Sequence, residues 1–261
     1  MSNESEGRRR AAQFRKEHNL GLGPIDNVFV LAELVHVDVV CIDAGGQEHG
    51  LTARDEQTGT TVFVVNNALP AARFRSTLAH ELAHLLFGED LTDAQDHEYA
   101  SSSETRAHAF ARHLLLPLDA VKEARKDFPD LDDEQLLNWF VRRYSVSPQI
   151  AAYQMNNAGL IDDETCDRFA KLRTGNLAWT NGWADLYRER DTDVRRDRGP
   201  LLLQGMATKA YLRGRLGAVE LAAMTGVSIT EIKENLHPMP PTDSRDIELI
   251  DFEDDDLPDA P

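Results

Sequence analysis

Residues 76–87 read Ser-Thr-Leu-Ala-His-Glu-Leu-Ala-His-Leu-Leu-Phe, an apolar stretch with neither proline nor glycine. This composition predicts a helix that is apolar nearly all round and that lies in the interior of the fold. His80 and His84 are four positions apart, so their imidazoles lie on the same face of the helix and can bind one metal ion together. Two buried imidazoles without a partner would be costly, so the histidines need either a metal ion or hydrogen-bonding groups. The alternative to a metal site is therefore a core helix whose histidines bond to neighbouring carbonyl groups.

Glu81 lies directly after the first of these histidines, and we expect its carboxylate near the open position of the metal. There it can take a proton from an activated water and later pass that proton to a leaving amine, which is the general-base role in zinc peptidases. The pentapeptide of residues 80–84 therefore makes the chain a candidate metal hydrolase.

A catalytic zinc site needs a third protein ligand. The best candidate is Glu104, in a second helical segment predicted for residues 101–117, where a run of serines supplies N-caps. Glu104 precedes Ala107 by three residues and Ala111 by seven, so we expect it on the buried face, where a carboxylate needs a cation. The alternative is a solvated glutamate in the first turn of the helix.

Other candidates for the third ligand lie closer to the histidines in sequence. The polar connection of residues 88–98 reads as a mobile loop or a lid. Its possible ligands are Asp93, Asp96 and His97. His108 and His113, further along, are expected to lie outside the ligand set.

Three motifs, in this order, resemble those of a known family. They read Arg75-Ser-Thr-Leu-Ala-His-Glu-Leu-Ala-His-Leu-Leu, Glu104-x-x-Ala107-x-x-Phe110-Ala111-x-x-Leu-Leu-Leu-Pro117 and Tyr144-Ser-Val-Ser-Pro-Gln-Ile-Ala-Ala. Over roughly residues 8–160 the chain resembles the ImmA/IrrE family of bacterial and phage metallopeptidases, and the ordered set is more specific than the pentapeptide alone.

The resemblance implies a gluzincin-like site in which Zn²⁺ is held by His80, His84 and Glu104, with Glu81 as the base. Relatives cleave helix-turn-helix repressors. We therefore expect a zinc endopeptidase that relieves repression by cleaving a helix-turn-helix repressor or an antitoxin-type regulator, which would be its partner.

The chain departs from the usual family pattern at three positions on the two helices near the metal. The family usually has Phe, Glu and Asn where this chain has Ser76, Arg106 and His108. The ligand positions are intact, so these differences bear on substrate preference.

Two other classes of function stay open. One is a regulator that keeps the zinc fold but acts by binding, as an antirepressor or a toxin partner. The other is a DNA-binding transcription regulator, since residues 136–160 and 220–233 resemble helix-turn-helix units. The second unit has two glutamates against one lysine where a recognition helix would present basic or amide side chains, so direct nucleic-acid binding is not expected.

The predicted fold class is α+β and predominantly α-helical. Strands near residues 37–42, 50–53 and 60–66 form a small antiparallel sheet packed on the helix of residues 76–87, and helices are expected near 7–18 and 25–36. Residues 1–173 form the metallopeptidase-like domain, with a helix-turn-helix-like part near 131–160. Residues 174–199 form a charged linker or helix, and residues 200–238 form a helical C-terminal extension.

The net charge is −17, and much of the excess lies at the C-terminus. Between Asp243 and Asp259 there are nine acidic residues and one arginine, so residues 239–261 are predicted to be a disordered acidic tail that could dock a basic partner. The chain lacks an apolar run of membrane length and an export signal at its N-terminus, which favours a cytoplasmic protein. Cys41 and Cys166 offer no disulfide framework and are expected to be buried.

Overall fold

The structure is a computed structural model that describes residues 2–45, 49–54, 61–89 and 97–238. The acidic tail predicted for residues 239–261 and most of the predicted loop of residues 88–98 lie outside these ranges. The chain divides into two compact units, Met1–Leu201 and Leu202–Pro261.

The described residues form thirteen helices and three strands. The strands are β1 (Asp38–Ile42), β2 (Gly50–Arg54) and β3 (Thr61–Asn66). The helices are α1 (Asn3–Glu17), α2 (Val30–Glu33), α3 (Ala71–Phe87), α4 (His97–Leu115), α5 (Leu118–Asp127), α6 (Asp133–Tyr144), α7 (Pro148–Asn157), α8 (Asp163–Ala170), α9 (Thr174–Thr180), α10 (Ala184–Val194), α11 (Leu201–Leu212), α12 (Ala218–Thr225) and α13 (Ile229–Asn235).

The predicted α+β, mainly helical class is confirmed, but the sheet is mixed, so the predicted antiparallel pairing is wrong for one of its two strand pairs. Its strand order is β1-β3-β2, with β2 antiparallel to β3 and β1 parallel to β3. The last strand in the chain, β3, lies between the two earlier strands and runs in the same direction as β1. β2 is therefore at an edge of the sheet, and its Thr52 side chain contacts Glu81 of α3.

The helix α3 is the interior helix that the sequence predicts. Phe74, Leu78 and Leu82 are fully buried. Its N-terminus has no cap from its own segment, but the Asp191 carboxylate of α10 accepts a hydrogen bond of 2.8 Å from the Ala71 amide. A carboxylate at this end also offsets the positive end of the helix dipole. A segment more than a hundred residues away therefore fixes the start of α3.

Two predicted helix boundaries were wrong. The helix expected near residues 25–36 is a single turn, α2. The helix α4 begins at His97, so the serines of residues 101–103 lie inside it and do not cap it. Their side chains bond elsewhere, since the Ser102 hydroxyl donates to Asn3 Oδ1 and that of Ser103 donates to Glu89. Here tertiary contacts override the local preference of serine for helix ends.

Residues 174–199, predicted to be a charged linker or a helix, contain α9 and α10 and belong to the first unit. Trp183 is buried, and its indole donates to Asn138 Oδ1 at 2.9 Å. The Asn67 amide donates to Asp197 Oδ1 at 2.7 Å, directly after β3. The charged residues of this segment are therefore partly used in packing against the sheet and α3.

The second unit has a small core of its own, formed by Ala207, Tyr211, Leu221 and Ile232. Its helix-turn-helix-like segment has the predicted turn chemistry: Gly226, with a φ of 71°, follows α12, and the Ser228 hydroxyl caps α13. None of the described helices is long and apolar enough to span a membrane.

Candidate metal centre and active site

Three side chains from two helices converge at one point. His80 and His84 of α3 have their Nε2 atoms 3.0 Å apart. The two carboxylate oxygens of Glu104, on α4, lie 3.2 Å from His80 Nε2 and 3.3 Å from His84 Nε2. One ligand atom from each residue lies within 4.8 Å of the others, which fits a metal site.

These separations agree with the geometry of zinc. Ligands at 2.0–2.1 Å from zinc, at the corners of a tetrahedron, are about 3.3 Å from one another. The two nitrogens are 3.0 Å apart, and each is 3.2–3.3 Å from a different oxygen of Glu104; with one atom taken from each residue, the three atoms lie within 4.8 Å of one another. Two imidazoles and a carboxylate are also a common catalytic donor set for zinc, with the fourth corner left for water or substrate. The residues present therefore fit the metal.

The charge state of the cluster also favours a cation. Hydrogen bonds from His80 and His84 hold the pKa of the Glu104 carboxyl well below its usual range. Burial by itself would lower the pKa of His84, but Glu104 and Glu89 raise it on balance. The site thus holds an ionised carboxylate that attracts a positive charge between the imidazoles, and a metal ion can supply that charge.

Glu104 is more exposed than the sequence predicts. Its side chain is 47% exposed, whereas its neighbours Ala107 and Ala111 on α4 are buried. It therefore lies at the border of the buried face, where it can turn towards the histidines from the rim of a cleft.

The alternative ligands Asp93 and Asp96, and the side chain of His97, lie outside the described part of the chain. His108 also lines the cleft. Its pKa is lowered mainly by burial and, to a smaller extent, by the charge of His80.

Glu81 is buried beside the histidines, with 5% of its surface exposed. The Thr52 hydroxyl of β2 donates a hydrogen bond of 2.8 Å to Glu81 Oε2. Gly50, on the same strand, keeps space free around the carboxylate, because a Cβ there would lie 2.7 Å from the Thr77 methyl group and 3.4 Å from Glu81 Oε1. The edge strand therefore orients the candidate base.

A carboxylate that the sequence analysis missed supports His84 from behind. The side chain of Glu89 is almost fully buried, and its Oε2 lies 2.8 Å from His84 Nδ1. Gly88 makes this possible: with a φ of 65° it ends α3 in a left-handed turn, and the Glu89 amide bonds to the His84 carbonyl at 3.0 Å. Carboxylates that bond to a metal-binding histidine fix the orientation of its ring and raise its basicity.

Glu89 is itself held by α4. The Arg106 Nε donates to Glu89 Oε1 at 3.0 Å, and the Ser103 hydroxyl donates to Oε2. Together these donors hold the pKa of the Glu89 carboxyl below its usual value even though burial opposes the shift. Arg106 stands where the related motif usually has Glu, so in this chain that position serves an ion pair behind the ligand. The signal in the sequence was the Gly-Glu pair after the helix, which places residue 89 next to residue 84.

We expect Glu89→Ala to lower the affinity for Zn²⁺ about tenfold to a hundredfold, the usual effect of removing a group that orients a ligand. Competition with a chromophoric chelator measures this change. Glu6→Ala is the matched control, because Glu6 also pairs with Arg106, at 3.6 Å, whereas Glu89 is the carboxylate that bonds to His84 Nδ1. Equal zinc affinity in Glu89→Ala and wild type would show that Glu89 serves packing alone.

The three side chains of the candidate metal site line a cleft of about 770 Å³. One side is formed by α3 and by the edge strand β2. The helix-turn-helix-like part of the first unit also lines the cleft, through Gln149, Ile150 and Tyr153 of α7. This volume is in the range of pockets that bind small ligands or short segments of a larger one, about 300–1,000 Å³.

A carboxylate between two histidines of a candidate metal site, all lining one cleft, is the arrangement typical of metallopeptidases. Residues 35–156 match the family model of the IrrE N-terminal-like domain, Peptidase_M78. This match supports membership of the ImmA/IrrE family, as the three sequence motifs indicated, and a metallopeptidase-type function. No curated protein matches the chain.

Proposed function

We propose that the protein is a zinc-dependent endopeptidase that cleaves a helix-turn-helix repressor or an antitoxin-type regulator and so relieves repression. The observation that carries the proposal is the convergence of His80, His84 and Glu104 within 4.8 Å, with Glu81 buried beside them at the floor of an open cleft. A metal centre that only stabilised the fold would have no need for an adjacent free carboxylate in a cleft.

His80, His84 and Glu104 would hold the zinc, which supplies Lewis-acid polarisation of the peptide carbonyl and makes water acidic enough to be deprotonated. Glu81 takes the proton from the attacking water and passes it to the nitrogen of the scissile bond, which leaves as an amine. Thr52 keeps one oxygen of this carboxylate engaged, so the other is available for the transfer. His108 and Tyr153, both in the cleft, are the neighbouring donors that could stabilise the oxyanion.

An extended substrate segment would lie along β2. Within the described residues this strand pairs with β3 alone, so the backbone groups of its other edge are available to a peptide. Thr52 and Gly50 of the same strand adjoin Glu81, so a peptide on this edge would pass over the base. Binding through backbone groups also suits a regulator that presents a flexible or locally unfolded segment.

The test is to sequence the neighbouring reading frames and to incubate the purified zinc-loaded chain with any small helix-turn-helix regulator that they encode. We expect two fragments whose masses sum to that of the regulator plus one water, and no fragments after the metal is removed with a chelator. Restoring Zn²⁺ should restore cleavage. An intact regulator whose repression is nevertheless relieved would favour the antirepressor alternative over the peptidase.

A further inference from the structure

Arg15, on α1, is a buried cation without an acidic partner among the described residues. It is 4% exposed, and its hydrogen bonds all go to backbone carbonyls: to Leu114 at 2.8 Å, to Gly21 at 2.7 Å and to Gly23 at 3.1 Å. Its Nη2 atom is buried and has no partner in the described part of the chain. Burial lowers the pKa of Arg15 to about 10, so the guanidinium still carries its charge at neutral pH.

A groove of about 470 Å³ adjoins this guanidinium. One face of α1 lines the groove with four residues: Arg8, Ala12, Arg15 and Lys16. The last three follow Arg8 by four, seven and eight positions, a spacing that places all four on the same side of a helix. The groove is also lined by the apolar residues Leu22, Pro117 and Leu118. Its lining thus combines basic and apolar side chains.

The charge of the groove contrasts with that of the chain. Three cationic side chains line it, together with the single carboxylate of Asp119 and with His113, whose Nε2 lies 2.9 Å from Glu4 Oε1. The chain as a whole has a net charge of −17, so a cluster of cations around a buried guanidinium is not what composition predicts. An unpaired buried charge is costly, and an anion would remove that cost.

We propose that this groove binds a small organic anion, whose phosphate or carboxylate group neutralises Arg8, Arg15 and Lys16 while its apolar part packs on Leu22, Pro117 and Leu118. The volume suits one small molecule of this kind. The site is separate from the catalytic cleft, since the two share no lining residue. Arg15 also holds the Leu114 carbonyl near the end of α4, the helix that supplies Glu104.

Calorimetric titration of the full-length zinc-loaded chain tests the proposal with three probes. Phenyl phosphate carries both the anion and the apolar group, inorganic phosphate carries the anion alone, and benzyl alcohol carries the apolar group alone. We expect phenyl phosphate to bind more tightly than either of the other two. Absence of phenyl phosphate binding at millimolar concentrations would overturn the proposal, and equal binding of inorganic phosphate would overturn the role of the apolar lining residues.

Variants locate the probe. Arg8→Ala with Lys16→Ala removes two exposed cations without touching the buried Arg15, and we expect the Kd for phenyl phosphate to rise about tenfold or more. The matched control is Lys122→Ala with Lys126→Ala, which removes two exposed cations of α5 outside the groove. An equal loss in the control would indicate general electrostatic attraction, and no loss in the groove variant would place the probe elsewhere, for example at the metal. Either result would overturn the proposal.

Discussion

Glu81→Gln should keep its zinc and its substrate but cleave the substrate at least about a hundredfold more slowly, since the loss of a general base typically costs about 10²–10⁴ in rate. Glutamine preserves the size of the side chain and can still accept the hydrogen bond from Thr52. It cannot accept and return a proton. The measurement is the cleavage rate of the regulator, read as fragment mass over time, together with the zinc content of each protein.

Glu134→Gln is the matched control, because it makes the same chemical change at an exposed position in the first turn of α6. It should cleave at the wild-type rate. Full relief of repression by Glu81→Gln, with the regulator uncut, would contradict the peptidase proposal and leave the metal site unaffected. Because zinc is measured in the same samples, a loss of catalysis can be told apart from a loss of metal.

Wild-type protein should contain about one zinc per chain, and His80→Ala or His84→Ala should remove most of it, because two ligands of the three cannot hold the ion tightly. Glu104→Ala should also weaken binding, by more than the tenfold to hundredfold expected for Glu89→Ala. Metal analysis after dialysis gives the stoichiometry, and chelator competition gives the affinity. The melting temperature should fall in parallel, because the metal stabilises the folded state to which it binds.

His49→Ala is the control for the loss of an imidazole, because His49 lines the same cleft but is not part of the three-residue cluster. It should retain zinc. Asp93→Ala and Asp96→Ala test the alternative third ligands. If these aspartates are required for zinc binding and Glu104 is not, our assignment of the third ligand is wrong.

Features that depend on neighbouring residues could be predicted from the sequence. The spacing of His80 and His84 on an apolar helix placed both imidazoles on one face, since the helical repeat alone decides this. The Gly226 and Ser228 pattern predicted a turn between two short helices for the same kind of reason. The presence of three short strands was also correct, although their pairing was only partly so.

Features that depend on distant residues were decided by the tertiary structure. Helix periodicity placed Glu104 on a buried face, but the packing of α4 on α3 put it at the rim of the cleft, half exposed. The serines before it would cap an isolated helix, yet in the fold their hydroxyls bond to Asn3 and Glu89. A local preference worth about 1 kcal/mol is easily outweighed by such contacts.

The sequence by itself determined the chemistry of the candidate centre, because two histidines and a base on one helix need only the helical repeat to come together. The tertiary structure decided how that centre is supported. Thr52 reaches Glu81 from the sheet, Asp191 caps α3 from α10, and Arg106 fixes Glu89 behind His84. Each of these contacts joins residues 17 to 120 positions apart. Only the packing of sheet and helices brings such residues within hydrogen-bonding distance, and no local pattern in the sequence specifies that packing.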